Sequence, residues 1–202
     1  MRPRNVVIGL IAVVVVVGVA AESIVDPVHI GHKTPVALAP GKVSLVGDSL
    51  NLGVETYLGV ELAGRTNEVD DVVGRGTEAG IEHLRGKGAG LGRYVVVSLG
   101  TNDPSDGSAA FRDHVAAVLR LAGTRCVVWA TIHRDGDAYE PFNAVLRDAA
   151  RVDRNLRLVE WTEMVAAHPE WLAGDGIHGT PEGYRARAAA IVAAMRTCPA
   201  RA

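Results

Sequence analysis

Aromatic residues make up only 4% of the 202-residue chain, too few for the rows of stacking rings that hold single-stranded nucleic acids. Charge of one sign is missing as well. Lys and Arg number 21 against 23 Asp and Glu, a formal net charge of -2, so there is no broad basic field and no nucleic-acid partner is expected. Cysteine occurs twice, at Cys126 and Cys198, without the C-x-x-C spacing of a zinc or redox site. His29 and His32 lie close together but have no third ligand nearby, so neither metal nor cofactor is predicted. Nor is there length for two catalytic domains; one globular domain with an extension fits, read as a monomer.

Against this background the first residues stand apart. Arg2 and Arg4 precede an unbroken apolar run from Val6 to Ala21, and Val19-Ala20-Ala21 offers small residues for cleavage. The run is shorter than the ~20 residues a spanning helix prefers, which favours a cleaved signal peptide in residues 1–25 over a membrane tether through residues 5–25. Either places the chain outside the cytoplasm, secreted or anchored. Residues 26–42, with three prolines and two histidines, read as a linker. In an exported chain the two cysteines permit one disulfide.

From Val43 onward short apolar runs alternate with amphipathic stretches, which delimits a domain over 43–198. Val43–Val46, Tyr94–Leu99, Cys126–Ile132 and Leu156–Val159 read as strands. Ala109–Leu121, Tyr139–Val152 and Pro181–Met195 repeat apolar residues at helical spacing, the last capped by Thr180. This alternation predicts an α/β fold, a three-layer α/β/α sandwich around a parallel, flavodoxin-like sheet, with ligands bound beyond the carboxyl ends of the strands.

Three motifs fall at such ends. Gly47-Asp48-Ser49-Leu50 puts a serine one turn past the first strand, at a predicted helix start whose free N–H groups suit an oxyanion. Gly100-Thr101-Asn102-Asp103 follows a central strand and offers the Asn102 amide as a donor. Asp175-Gly176-Ile177-His178 places a carboxylate where it can fold back to an imidazole and fix its tautomer. Singly, each is ordinary: a serine cap, a polar turn, surface loop residues or half a metal site. Gly74, near another predicted strand end, is by itself a turn glycine. Ser49 is not in a G-x-S-x-G elbow, since position 51 is Asn. The glycine-rich Gly86–Gly92 stretch precedes a strand, unlike a phosphate loop. His133 reads as a loop residue.

In order, these motifs and Gly74 resemble the four sequence blocks of the SGNH (GDSL-like) hydrolases. That resemblance implies a serine esterase without cofactor: Ser49 as nucleophile, His178 and Asp175 completing a triad, and an oxyanion hole from Ser49, Gly74 and Asn102. Trp129, Trp161 and His168-Pro169-Glu170-Trp171 further resemble the SGNH modules associated with surface-polysaccharide acyltransferases. The expected substrate is thus a small-molecule or carbohydrate O-acyl ester, cleaved by water. Transfer to a sugar hydroxyl, or a silent module that only binds, are the alternatives.

Overall fold

The computed structural model describes residues 37–199 except 64 and 135. The expected export segment and most of the linker, with His29 and His32, lie outside the described residues. Leu38 and Ala39 are already held to the body: their carbonyls accept from the Arg65 guanidinium, and that of Ala39 also from the Tyr94 hydroxyl.

Five parallel strands form one sheet: β1 (Val43–Gly47), β2 (Thr66–Asp71), β3 (Tyr94–Ser98), β4 (Cys126–Ala130) and β5 (Leu156–Val159), in the order β2-β1-β3-β4-β5. Helices α1 (Ser49–Glu61), α2 (Thr77–Lys87), α3 (Ser108–Ala122), α4 (Glu140–Val152), α5 (Trp161–Ala167) and α6 (Pro181–Arg196) cover its two faces. The valine-rich strands are buried on both sides, as parallel sheets require. Alternation then sorts their residues. Val95, Val97, Val127 and Trp129 pack with Phe111 and Val115 of α3 and Phe142 and Leu146 of α4. Tyr94, Val96, Val128 and Ala130 pack with Val54 and Leu58 of α1 and Ala188 and Ile191 of α6. This is the expected three-layer sandwich, with the expected flavodoxin-like strand order.

Boundaries differ by a few residues. The strands expected to reach Leu99 and Ile132 end at Ser98 and Ala130, where the chain turns toward the edge. Near Gly74 the strand ends earlier, at Asp71, and Val72 and Val73 are solvent-exposed at 46% and 73%. The helix expected from Asn51 starts at Ser49, because Asp48 and not Ser49 is its cap.

Cys126 and Cys198 form a disulfide, their Cα atoms 5.9 Å apart, which ties the chain after α6 to the start of β4. Among the described residues no helix is long and apolar enough to cross a membrane, and no three His, Cys, Asp or Glu side chains gather as a metal site would need.

Candidate active site

Register places the carboxyl ends of the first three strands side by side: Gly47 of β1 pairs with Asp71 of β2 and with Ser98 of β3. Whatever follows them shares one edge. Past β1, Asp48 is fully buried and caps α1: its Oδ1 accepts from Leu50 N at 2.9 Å and its carbonyl from Asn51 and Leu52 N. Ser49 is thereby the first helical residue, and its N–H is one of the donors that a helix start leaves without an intrahelical acceptor. A Cβ on Gly47 would stand 2.3 Å from that of Asn51, so only glycine permits this tight entry into the helix.

The loop before α6 brings His178 to the same place from 129 residues away. His178 Nε2 lies 2.9 Å from Ser49 Oγ, and Nδ1 lies 2.7 Å from Asp175 Oδ2. Asp175 Oδ1 accepts the N–H groups of Ile177 and His178, both at 3.0 Å. These contacts, the Ile177 N–H first and the His178 ring next, hold the Asp175 carboxyl well below the ordinary carboxylate range. The loop is closed by an antiparallel bridge between Leu172 and Gly179, with Ala173 N bonded to His178 O. A hydroxyl, an imidazole and a carboxylate thus stand in one chain of hydrogen bonds.

Asn102 arrives through a turn whose Gly100 has φ +111°; a Cβ there would meet Ile132 Cδ1 at 2.4 Å. Its Nδ2 donates to Asp48 Oδ2 at 3.1 Å and to the Arg75 carbonyl at 3.2 Å. Asp48 precedes Ser49 and Arg75 follows Gly74, so the three residues expected to form an oxyanion hole are joined through their chain neighbours. Gly74 itself is exposed at φ +74°, a left-handed turn that glycine adopts without strain.

Sequence reasoning missed two buried charged-type residues, Asp48 and Arg187. Arg187 of α6 is only 2% exposed, donates to Ser98 Oγ at 2.9 Å and lies over the Trp161 ring at 5.0 Å. Burial lowers its pKa to about 10, opposed by the nearby Asp48 charge, and burial likewise raises the Asp48 carboxyl. Arg187 gave no signal in the sequence, since its partners come from β3 and the start of α5. His133, past β4, is half-buried, and its burial lowers its pKa. Trp161 and Trp171 stack at 6.5 Å, and Trp171 and His168 at 4.1 Å, beside the His178 loop. Trp129 belongs to the opposite core, where its indole donates to the Leu99 carbonyl.

A cavity of about 360 Å³ is lined by Asn102 together with Gly76, Glu78, Asp106 and His114. A larger one, about 760 Å³, lies between α3 and α4 and includes none of the edge residues.

No protein-family profile matches the chain. O-acetyltransferase OatA of Staphylococcus aureus is 34% identical over 106 residues, which are 52% of this chain and 17% of that protein. The chain therefore spans less than a fifth of that relative's length. Among solved structures, the C-terminal catalytic domain of Streptococcus pneumoniae peptidoglycan O-acetyltransferase A superposes with a TM-score of 0.67 at 21% identity, covering 80% of this chain and 95% of that one. A GDSL-like lipase from Bacteroides thetaiotaomicron superposes with a TM-score of 0.62 at 18% identity, covering 76% and 87%.

Proposed function

We infer from the SGNH (GDSL-like) hydrolase fold of this chain that it is a serine enzyme acting on O-acyl esters of carbohydrates, with Ser49 carrying the acyl group. The observation that carries this reading is the 2.9 Å contact between Ser49 Oγ and His178 Nε2, backed by Asp175 on the other ring nitrogen. In the first step Ser49 Oγ attacks the ester carbonyl, and His178 takes the hydroxyl proton and returns it to the leaving alcohol. Asp175 stays ionised and stabilises the imidazolium. In the second step His178 takes a proton from an acceptor hydroxyl whose oxygen attacks the acyl carbonyl, and returns it to Ser49 Oγ as the bond between that oxygen and the acyl carbon breaks.

Negative charge on the tetrahedral oxygen is met by the N–H groups of Ser49 and Gly74 and by the amide of Asn102. Asn102 can serve only by exchanging or sharing one of its bonds to Asp48 and the Arg75 carbonyl. The cavity at Asn102 presents carboxylates and no Lys or Arg, which suits an uncharged, hydroxyl-bearing substrate. Neither metal nor cofactor enters these steps.

The acceptor distinguishes two reactions. Water makes the protein an esterase; a sugar hydroxyl makes it a transferase. Likeness to the O-acetyltransferase OatA favours the second. Residues 43–198 are the catalytic domain on this reading, a monomer behind an export segment in 1–25 and a linker in 26–42, working outside the cytoplasmic membrane. To test it, p-nitrophenyl acetate turnover and fluorophosphonate labelling are compared in wild type and Ser49→Ala. The variant should lose about three orders of magnitude in rate and all labelling; equal rates would refute the reading. Mass spectrometry with an acceptor oligosaccharide present then separates O-acylated sugar from free acid.

A further inference from the structure

Ser49 and Gly53 are four residues apart in α1, hence stacked on one face of the helix. His178 meets the first. The Tyr184 ring of α6 meets the second: a Cβ on Gly53 would come within 2.1 Å of Tyr184 Cζ and 2.3 Å of Cε1. The same ring lies against Gly179, the residue after His178, where a Cβ would stand 3.1 Å from Cδ1. One aromatic ring therefore fills the gap between the helix that carries the hydroxyl and the loop that carries the imidazole. Neither neighbour has room for a side chain without displacing it.

Bulk packing is only part of this arrangement, although Tyr184 flanks the core that α1 and α6 share. The α1–α6 contact is already made by fully buried residues, Val54 and Leu58 against Ala188, Ile191 and Val192, whereas Tyr184 is only partly buried. Helix propensity alone would place alanine at position 53. The next turn of α6 is pinned independently by Arg187 on Ser98 and Trp161, so the ring's backing is rigid and its thickness fixes the spacing in front of it.

We propose that Tyr184 is a positioning residue whose ring, seated between Gly53 and Gly179, sets the separation of Ser49 from His178. The proposal rests on those two side chains being the reacting pair. Gly53→Ala should lower kcat by about 10²-fold, the loss that follows a misplacement near 1 Å, with KM changed less than about threefold. Adding Tyr184→Leu to Gly53→Ala should recover about tenfold of that loss, because the added methyl then has space. Tyr184→Ala, which empties the gap, should also lower kcat, and Tyr184→Phe should regain most of what Tyr184→Ala loses.

The readouts are kcat and KM on p-nitrophenyl acetate, the rate of fluorophosphonate labelling at Ser49, and the His178 imidazole resonances by NMR. Gly53→Ala with wild-type kcat, or a loss that Tyr184→Leu does not relieve, overturns the proposal. If Gly53→Ala does not fold, the Tyr184→Ala and Tyr184→Phe pair decides it in the same way. If the wild type itself is not labelled at Ser49, the acyl-transfer reading fails. The spacer is then judged by NMR alone: Gly53→Ala must move the His178 resonances and Tyr184→Leu must move them back, or the ring sets no spacing.

Discussion

Asp71 ends β2 beside the first turn of α1, where its Oδ1 accepts the Asn51 side-chain amide at 2.8 Å. Its Oδ2 and the Asn51 side-chain Oδ1 are both buried without a hydrogen-bond partner. Burial raises the Asp71 pKa to about 6, with the Asn51 amide opposing. A proton on Oδ2 would convert one of two unanswered acceptors into a donor, which is why the neutral form suits the site. Because the folded state holds this proton more tightly than an unfolded aspartate does, the associated stability is complete below about pH 4 and is lost as pH rises through about 6. Asp71→Asn, neutral at every pH, should raise the melting temperature relative to wild type near pH 8 and leave it nearly unchanged near pH 4. A shift of equal size at both values would show that charge is not the cause. Asp175 is the opposite case: three donors favour its carboxylate, so protonation of Asp175 does not set the acid limb of a pH–rate profile.

The start of α6 organises the loop that holds His178. Thr180 caps the helix through Oγ1 to Gly183 N at 3.2 Å, and its own N–H donates to the Trp171 carbonyl. Gly183 lies against that same strand of the loop; a Cβ there would stand 2.2 Å from the Trp171 carbonyl oxygen. Since backbone cannot swing aside as a side chain can, Gly183→Ala should destabilise by about 1–3 kcal/mol, measured by urea denaturation. Helix α6 was legible from its Thr180-Pro181-Glu182 opening and apolar spacing, as were β1, β3 and β4 from runs buried on both faces and β5 from its short apolar run. Two helices were not, and of one strand only an end near Gly74 was. Edge strand β2 is Thr-Asn-Glu-Val-Asp-Asp, with one apolar residue, because only one of its sides is paired and its neighbours Val72 and Val73 face solvent. Helix α2 lacks a side-chain cap and carries two glycines. Helix α5 spans only Trp161–Ala167, too short for its period to register.

At the scale of the whole molecule, the two cysteines close a loop with a sequence separation of 72. Such a constraint on the unfolded chain stabilises by about 4 kcal/mol in the chain-entropy picture. Cys198→Ser should therefore lower the denaturation midpoint, and wild type in a reductant should match it; a reductant-insensitive wild type would mean the bridge contributes nothing. An even cysteine count made the bond permissible from sequence, but only the docking of α6 brings Cys198 to the start of β4. The edge residues were legible for a similar reason in reverse: Ser49, Asn102, Asp175 and His178 each follow a strand or sit in a loop of recognisable composition. The burial of Asp48 and Arg187 and the seat of the Tyr184 ring depend on contacts between distant segments, which no local pattern announces. Those distances in sequence have a temporal side too. The hydroxyl and the imidazole are separated by 129 positions, and the helix that backs the imidazole comes last among the described elements. A ribosome making this chain carries the serine long before the imidazole exists, so on the proposed reading the hydroxyl has no base to work with until the loop and that helix have been made.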